Sequence, residues 1–86
     1  MKVELIYSPG CAKCLTARGA LRDVAQEVDA HLDWRELNVL DDLDYAVSLG
    51  VLTLPALAID GELTFTSLPT PDELETALRA RQARNH

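Results

Sequence analysis

Between Tyr7 and Cys11 the hydrophobic period of this chain changes, and that change constrains its fold more than any other feature. Before it, Lys2 to Tyr7 is a short run of β-formers (Val3, Leu5, Ile6, Tyr7), apolar on both faces towards its end. A strand inside a covered sheet has that pattern. Ser8-Pro9-Gly10 breaks the run. From Cys11 to about His31 the pattern is helical: Cys14, Ala17, Leu21, Val24, Ala25 and Val28 recur at spacings of three and four. They form one apolar stripe, with Arg22, Asp23 and Glu27 mostly outside it. A second β-type segment, Asp33 to Val39, contains Trp34, Leu37 and Val39. Strand, helix and strand in this order predict a parallel pair joined by a right-handed crossover.

The second half reads differently. Asp41 and Asp42 are placed to cap a short helix through Leu49, with Gly50 as its left-handed C-cap. Pro55 to Ile59, then Asp60-Gly61, then Glu62 to Thr66 predict a β-hairpin, because both central residues of such a tight turn need positive φ. Thr70-Pro71-Asp72-Glu73 is a capping box with Pro at the first helical position. It opens a helix with Leu74, Ala77 and Leu78 on one side and Arg79, Arg81 and Arg84 towards its end, where positive charge suits the dipole. The order is β-α-β-α-β-β-α, an α/β fold. Residues 1–86 form a single domain, with 79–86 as a fraying C-terminal end.

Composition narrows the function. A formal charge of −6 speaks against a nucleic-acid binder or an anionic-membrane peptide, which need excess positive charge. The Met1-Lys2-Val3-Glu4 start lacks the pattern of a signal peptide, and the longest apolar stretch, Val51 to Ile59, is short of a membrane span. The cytoplasm is the expected compartment, with no membrane or nucleic-acid partner. Two cysteines cannot build a disulfide framework. In a reducing compartment a close pair is redox-active or metal-binding before it is structural.

Cys11-Ala12-Lys13-Cys14 is therefore the candidate site. Two cysteines placed at random in a chain of this length have this spacing about 2% of the time. The pair also falls at the join between a strand and the first turn of a helix. First-turn N–H groups lack partners there and the dipole is positive, which favours a thiolate on Cys11. Lys13 adds charge next door, and Arg18 is a second candidate for lowering the thiol pKa. Cys14 lies within the apolar stripe and should be buried; Cys11 lies at its edge. Cys11 is thus the expected nucleophile and Cys14 the resolving thiol of a disulfide exchange. Thiolate binding of Cu, Zn or Hg is the alternative chemistry. His31 and His86 are poorly placed to complete a zinc site and read as solvated surface groups. A non-catalytic interaction module is the third reading. No cofactor beyond a Cys11–Cys14 disulfide is expected, and no metal.

Gly10-Cys11-Ala12-Lys13-Cys14 after a strand, Leu54-Pro55-Ala56-Leu57 before the hairpin, and Asp60-Gly61-Glu62 as its turn resemble the thioredoxin/glutaredoxin superfamily, in particular its compact bacterial and archaeal members. The resemblance implies a thioredoxin fold: a four-stranded mixed sheet of order 2-1-3-4, with the first and third helices on one face and the second on the other. It implies a small dithiol–disulfide oxidoreductase in electron transport and cell redox homeostasis. Its partners would be disulfide-containing proteins and a flavin-dependent reductase or low-molecular-weight thiol as electron donor, with the chain a monomer. It also implies a cis Pro55 beside the cysteines, with Thr53, Leu54 and Pro55 lining a substrate groove. Two departures stand out. Leu5 occupies the position of the buried acid that assists the resolving thiol in the best-known thioredoxins, and Glu4, one place off, should face the other way. Ser67-Leu68-Pro69-Thr70 replaces the Gly-Gly of glutathione-binding glutaredoxins. Tyr7 reads as a core-edge residue, Trp34 and Phe65 as packing, and Asp41, Asp42 and Asp44 as a helix cap and solvated face.

Overall fold

The structure, a computed structural model, describes residues 1–84. It contains β1 (Lys2–Tyr7), α1 (Ala12–Val28), β2 (Asp33–Asn38), α2 (Leu43–Leu49), β3 (Ala56–Ile59), β4 (Glu62–Phe65) and α3 (Pro71–Arg84). The sheet order is β2-β1-β3-β4, as the resemblance implied. β1 runs parallel to β2, with Leu5 beside Glu36, and antiparallel to β3, with Ile6 beside Ala56. β3 and β4 form the hairpin, whose turn residues Asp60 and Gly61 both have positive φ, 52° and 79°.

Because β1 is central, both of its faces are covered. Val3 and Leu5 point to one side, where they join Leu21 and Ala25 of α1, Leu57 and Ile59 of β3, and Leu74 and Leu78 of α3 in one core. Trp34 and Phe65 pack against its edges. On the other side Ile6, Ala56 and Ala58 are buried together with Ala46 of α2. Three alanines on that side let a two-turn helix lie close to the sheet. Glu4 also points there and is 3% exposed. Its Oε1 accepts a 2.6 Å hydrogen bond from the Tyr45 hydroxyl, and Lys2 Nζ is 3.6 Å away. Donating to a carboxylate, and being partly buried, pushes the Tyr45 phenol up to about 12.

Local side-chain chemistry ends several elements. The helix expected to reach about His31 stops at Val28, because Asp29 leaves helical geometry and its Oδ1 accepts the His31 N–H at 3.0 Å. That Asx turn competes with another helical turn. In the same way Asn38 Oδ1 accepts the Leu40 N–H at 3.0 Å, and β2 ends there rather than at Val39. Gly50 takes the left-handed C-cap conformation at φ 88°. Asp42 stands at the N-cap of α2 but makes no side-chain capping bond, contrary to expectation. Asp44 in the first turn supplies the negative charge the dipole favours. Thr70 and Glu73 form the reciprocal capping box: the Thr70 N–H donates to Glu73 Oε1 at 3.0 Å, and the Glu73 N–H to Thr70 Oγ1 at 3.2 Å. α3 continues through Arg84, so residues 79–84 of the segment assigned to a fraying end are helical. Arg81 ties this segment back to Asp60 and Glu62, at 3.3 and 2.9 Å. His86 lies outside the described residues.

Candidate redox site

β1 delivers the chain to one end of the sheet, and Gly10, at φ 83°, turns it into α1. Cys11 is the N-cap, in extended conformation. Its carbonyl accepts the first helical bond from the Leu15 N–H at 3.3 Å. Its Sγ accepts the Cys14 N–H, also at 3.3 Å, so a sulfur does the work that a Ser or Asp oxygen does at most helix starts. Cys11 and Cys14 are joined by a disulfide with their Cα atoms 5.3 Å apart, well within the range such a bond needs. The two sulfurs differ in access. Cys14 is 3% exposed beneath the first turn, whereas Cys11 is half-buried at the open end of the helix.

The other candidates divide. Lys13 is exposed beside the pair. Arg18 is committed elsewhere: its Nη1 lies 3.2 Å from Glu36 Oε1 on β2, so much of its charge is answered by a carboxylate. The Leu54–Pro55 bond is cis, and Pro55 directly precedes β3. The pairing of Ile6 with Ala56 sets it at the end of the sheet where β1 stops, the end from which the cysteines depart. Thr53 Oγ1 donates to the Thr66 carbonyl at 2.8 Å, which occupies its hydroxyl within the chain. Around this rim Leu15, Leu52 and Leu54 are 58%, 96% and 37% exposed. Tyr7 is half-buried and lines a small cavity against Cys14, together with Leu5, Leu15, Arg18 and Glu36. His31 is exposed in the turn after α1, remote from the pair in sequence. Among the described residues, no three His, Cys, Asp or Glu side chains gather as a set of metal ligands. Nor is any helix long and apolar enough to cross a membrane.

Glu36 is the residue that sequence reasoning missed; for Glu4 it gave the face but not the burial against Tyr45. The signal for Glu36 lay in the strand period: it is in phase with Trp34, not with exposed Arg35 and Asp33. For Glu4, the signal was a charge flanked on both sides by the apolar residues of a central strand.

A disulfide of Cys-X-X-Cys spacing, set at the start of the first helix of a four-stranded mixed sheet, defines the class: a small dithiol–disulfide oxidoreductase. Residues 1–79 match a family model described as a thioredoxin domain. Over 81 residues the chain is 30% identical to a thioredoxin of Methanocaldococcus jannaschii, covering 94% of this chain and 95% of that one. A probable thioredoxin of Methanothermobacter marburgensis is 28% identical and covers 91% and 92% of the two chains. The solved structure of thioredoxin 1 from Thermosipho africanus superimposes with a TM-score of 0.75 over the whole of both chains at 19% identity, a likeness of fold. The chain belongs to the thioredoxin family.

Proposed function

We propose that Cys11 is the sulfur that attacks client disulfides and Cys14 the one that resolves them. The observation that carries this reading is the asymmetry of the pair: the half-buried sulfur caps the helix and accepts an N–H, while the other is covered. A thiolate on Cys11 is favoured over the thiol by that N–H and by the positive end of α1. Exposed Lys13 adds to the effect, and Arg18, already paired, adds less. In the reduced protein the Cys11 thiolate attacks one sulfur of a client disulfide, expelling the other as a thiolate. Cys14 then attacks the Cys11 sulfur, the mixed disulfide breaks, and the second client thiolate leaves. Two electrons pass to the client and the internal disulfide forms. No bound cofactor takes part.

Thr53, Leu54 and Pro55 form the client-binding rim, with the exposed Leu54 side chain as apolar contact and its backbone free for an extended client segment. A flavin-dependent reductase or a small thiol returns the electrons, and the reaction fits a monomer in a reducing cytoplasm. The test is reduction of a protein disulfide with dithiothreitol as electron source. Cys11→Ser should be inactive, and Cys14→Ser should accumulate a mixed disulfide on Cys11. Full activity in Cys11→Ser would refute these roles.

A further inference from the structure

Between the Gly50 cap of α2 and the first residue of β3 runs a loop, residues 51–55, that turns apolar side chains towards water. Leu52 is 96% exposed and Leu54 37%, one on each side of Thr53. Side chains that stand in solvent do not pack the chain into place, so the polar bonds of the loop decide its course. The Val51 N–H donates to the Ala46 carbonyl at 3.1 Å, which closes the end of α2. Beyond it, the N–H groups of Leu52, Thr53 and Leu54 have no main-chain partner among the described residues.

A single side-chain bond ties this stretch to the rest of the molecule. Thr53 Oγ1 donates to the Thr66 carbonyl at 2.8 Å, across thirteen positions of sequence. The acceptor is a fixed point. Thr66 directly follows Phe65, which pairs with Leu57 of β3 and packs against the core. On the far side of the loop Ala56 is held by its pairing with Ile6 of β1. Leu54 and Pro55 therefore span two anchors, the bonded Thr53 side chain and the paired Ala56. Two residues between two anchors have few shapes left to them.

We propose that Thr53 is a positioning residue for client binding. Its bond to the Thr66 carbonyl fixes the course of Leu54 and Pro55, and presents the Leu54 main chain already in the shape an extended client segment pairs with. Thr53 need not touch the client, because its one hydroxyl hydrogen is committed to Thr66. Without that bond the loop has to be ordered as the client binds, and the ordering weakens association. The bond itself is exposed, so water replaces it in the unbound protein and the fold loses little. The inference deepens the client-binding rim given above and rests on that reading.

The test compares two disulfides that differ in whether they carry a main chain. One is a pair of short peptides joined by a single disulfide; the other is 5,5′-dithiobis(2-nitrobenzoate), which has no peptide backbone. Rapid mixing with the reduced protein gives a second-order rate constant for each. Thr53→Val keeps the branched shape of the side chain and removes its donor. It should slow attack on the peptide disulfide about fivefold more than attack on the small one, the effect of one hydrogen bond of ordinary net strength. The melting temperature should change little. Thr53→Ser, which keeps the hydroxyl, should recover the parent ratio of the two rates. An unchanged ratio in Thr53→Val, or a lowered ratio that Thr53→Ser does not recover, would overturn the proposal. Leu54→Ala keeps the Thr53 bond and removes the apolar contact. If it lowers the ratio and Thr53→Val does not, the positioning role alone is wrong; if neither lowers it, the client-binding rim is wrong as well.

Discussion

At the end of the sheet where β1 begins, polar groups stitch strands and helices together, whereas at the end where β1 stops apolar side chains stand open. Asp60 Oδ1 accepts the Lys2 N–H at 2.8 Å, and Arg81 bridges Asp60 and Glu62. Gln82 donates to the Val28 carbonyl at 2.8 Å, binding α3 to the last turn of α1. The opposite end carries Cys11 and Cys14, Pro55 and the exposed Leu15, Leu40, Leu52 and Leu54. The Arg81 bridges lie away from the cysteines, whose end of the sheet has the Thr53–Thr66 bond and the Arg18–Glu36 pair as its polar cross-links. Under the function proposed above, the exposed leucines there are the surface offered to clients.

The division implies that changes at the rim should alter exchange and changes elsewhere should alter stability. The largest separation is expected for Cys11→Ser: disulfide reduction falls to the uncatalysed background, while the melting temperature of the reduced protein barely moves. Ser is itself a favoured N-cap, so α1 keeps its start. Next, Leu78→Ala in the fully buried core should cost about 2–5 kcal/mol in urea unfolding. Disulfide reduction by the folded protein, in the dithiothreitol-driven assay, should stay within about twofold of the parent.

Tyr45→Phe should cost less, about 1–3 kcal/mol, because it leaves buried Glu4 without its closest donor. It should also change the alkaline limb of stability. The folded phenol titrates at about 12 against an ordinary value of 10.0, so the folded state holds the proton longer than the unfolded one. The stabilisation is complete below pH 10 and lost as pH rises towards 12. The Phe variant should lack this fall in a pH series of melting temperatures.

The smallest effect is expected at Arg81. Burial raises the Asp60 carboxyl, but the Lys2 N–H and Arg81 together outweigh it and hold it below the usual range; the Arg81 hydrogen bond likewise lowers Glu62. Groups lowered on folding stabilise above their unfolded pKa, and that contribution is lost as pH falls through the folded value. Arg81→Gln should therefore lower stability slightly at neutrality, with the deficit fading as pH falls through the carboxylate range. Slowed exchange in Tyr45→Phe or Arg81→Gln, out of proportion to lost stability, would erase the contrast between the two ends.

Much of the fold was legible because its signals are short. The Thr70–Glu73 capping box, the Asp60-Gly61 turn, the Gly50 C-cap and the Cys11–Cys14 spacing each work within a few residues. The misreadings were local as well: Asp29 and Asn38 used their side chains to end an element earlier than hydrophobic period suggested. Glu36 was hidden for another reason. Its partners include Arg18, eighteen positions away, and its neighbour in the sheet is Leu5.

Sequence alone determined the order of strands and helices, the placing of two sulfurs at a helix start, and the burial of one of them. Capping groups, turns and amphipathic stripes act through bonds and periods that span only a turn or two, so they are written in neighbouring letters. The tertiary structure alone decided that Glu4 lies sealed against Tyr45 while Glu36 meets the cavity behind Cys14. Two consecutive positions on a strand differ only in the face they present. Which face receives which helix follows from the register of β1 against β2 and from the crossover that lays α1 over them.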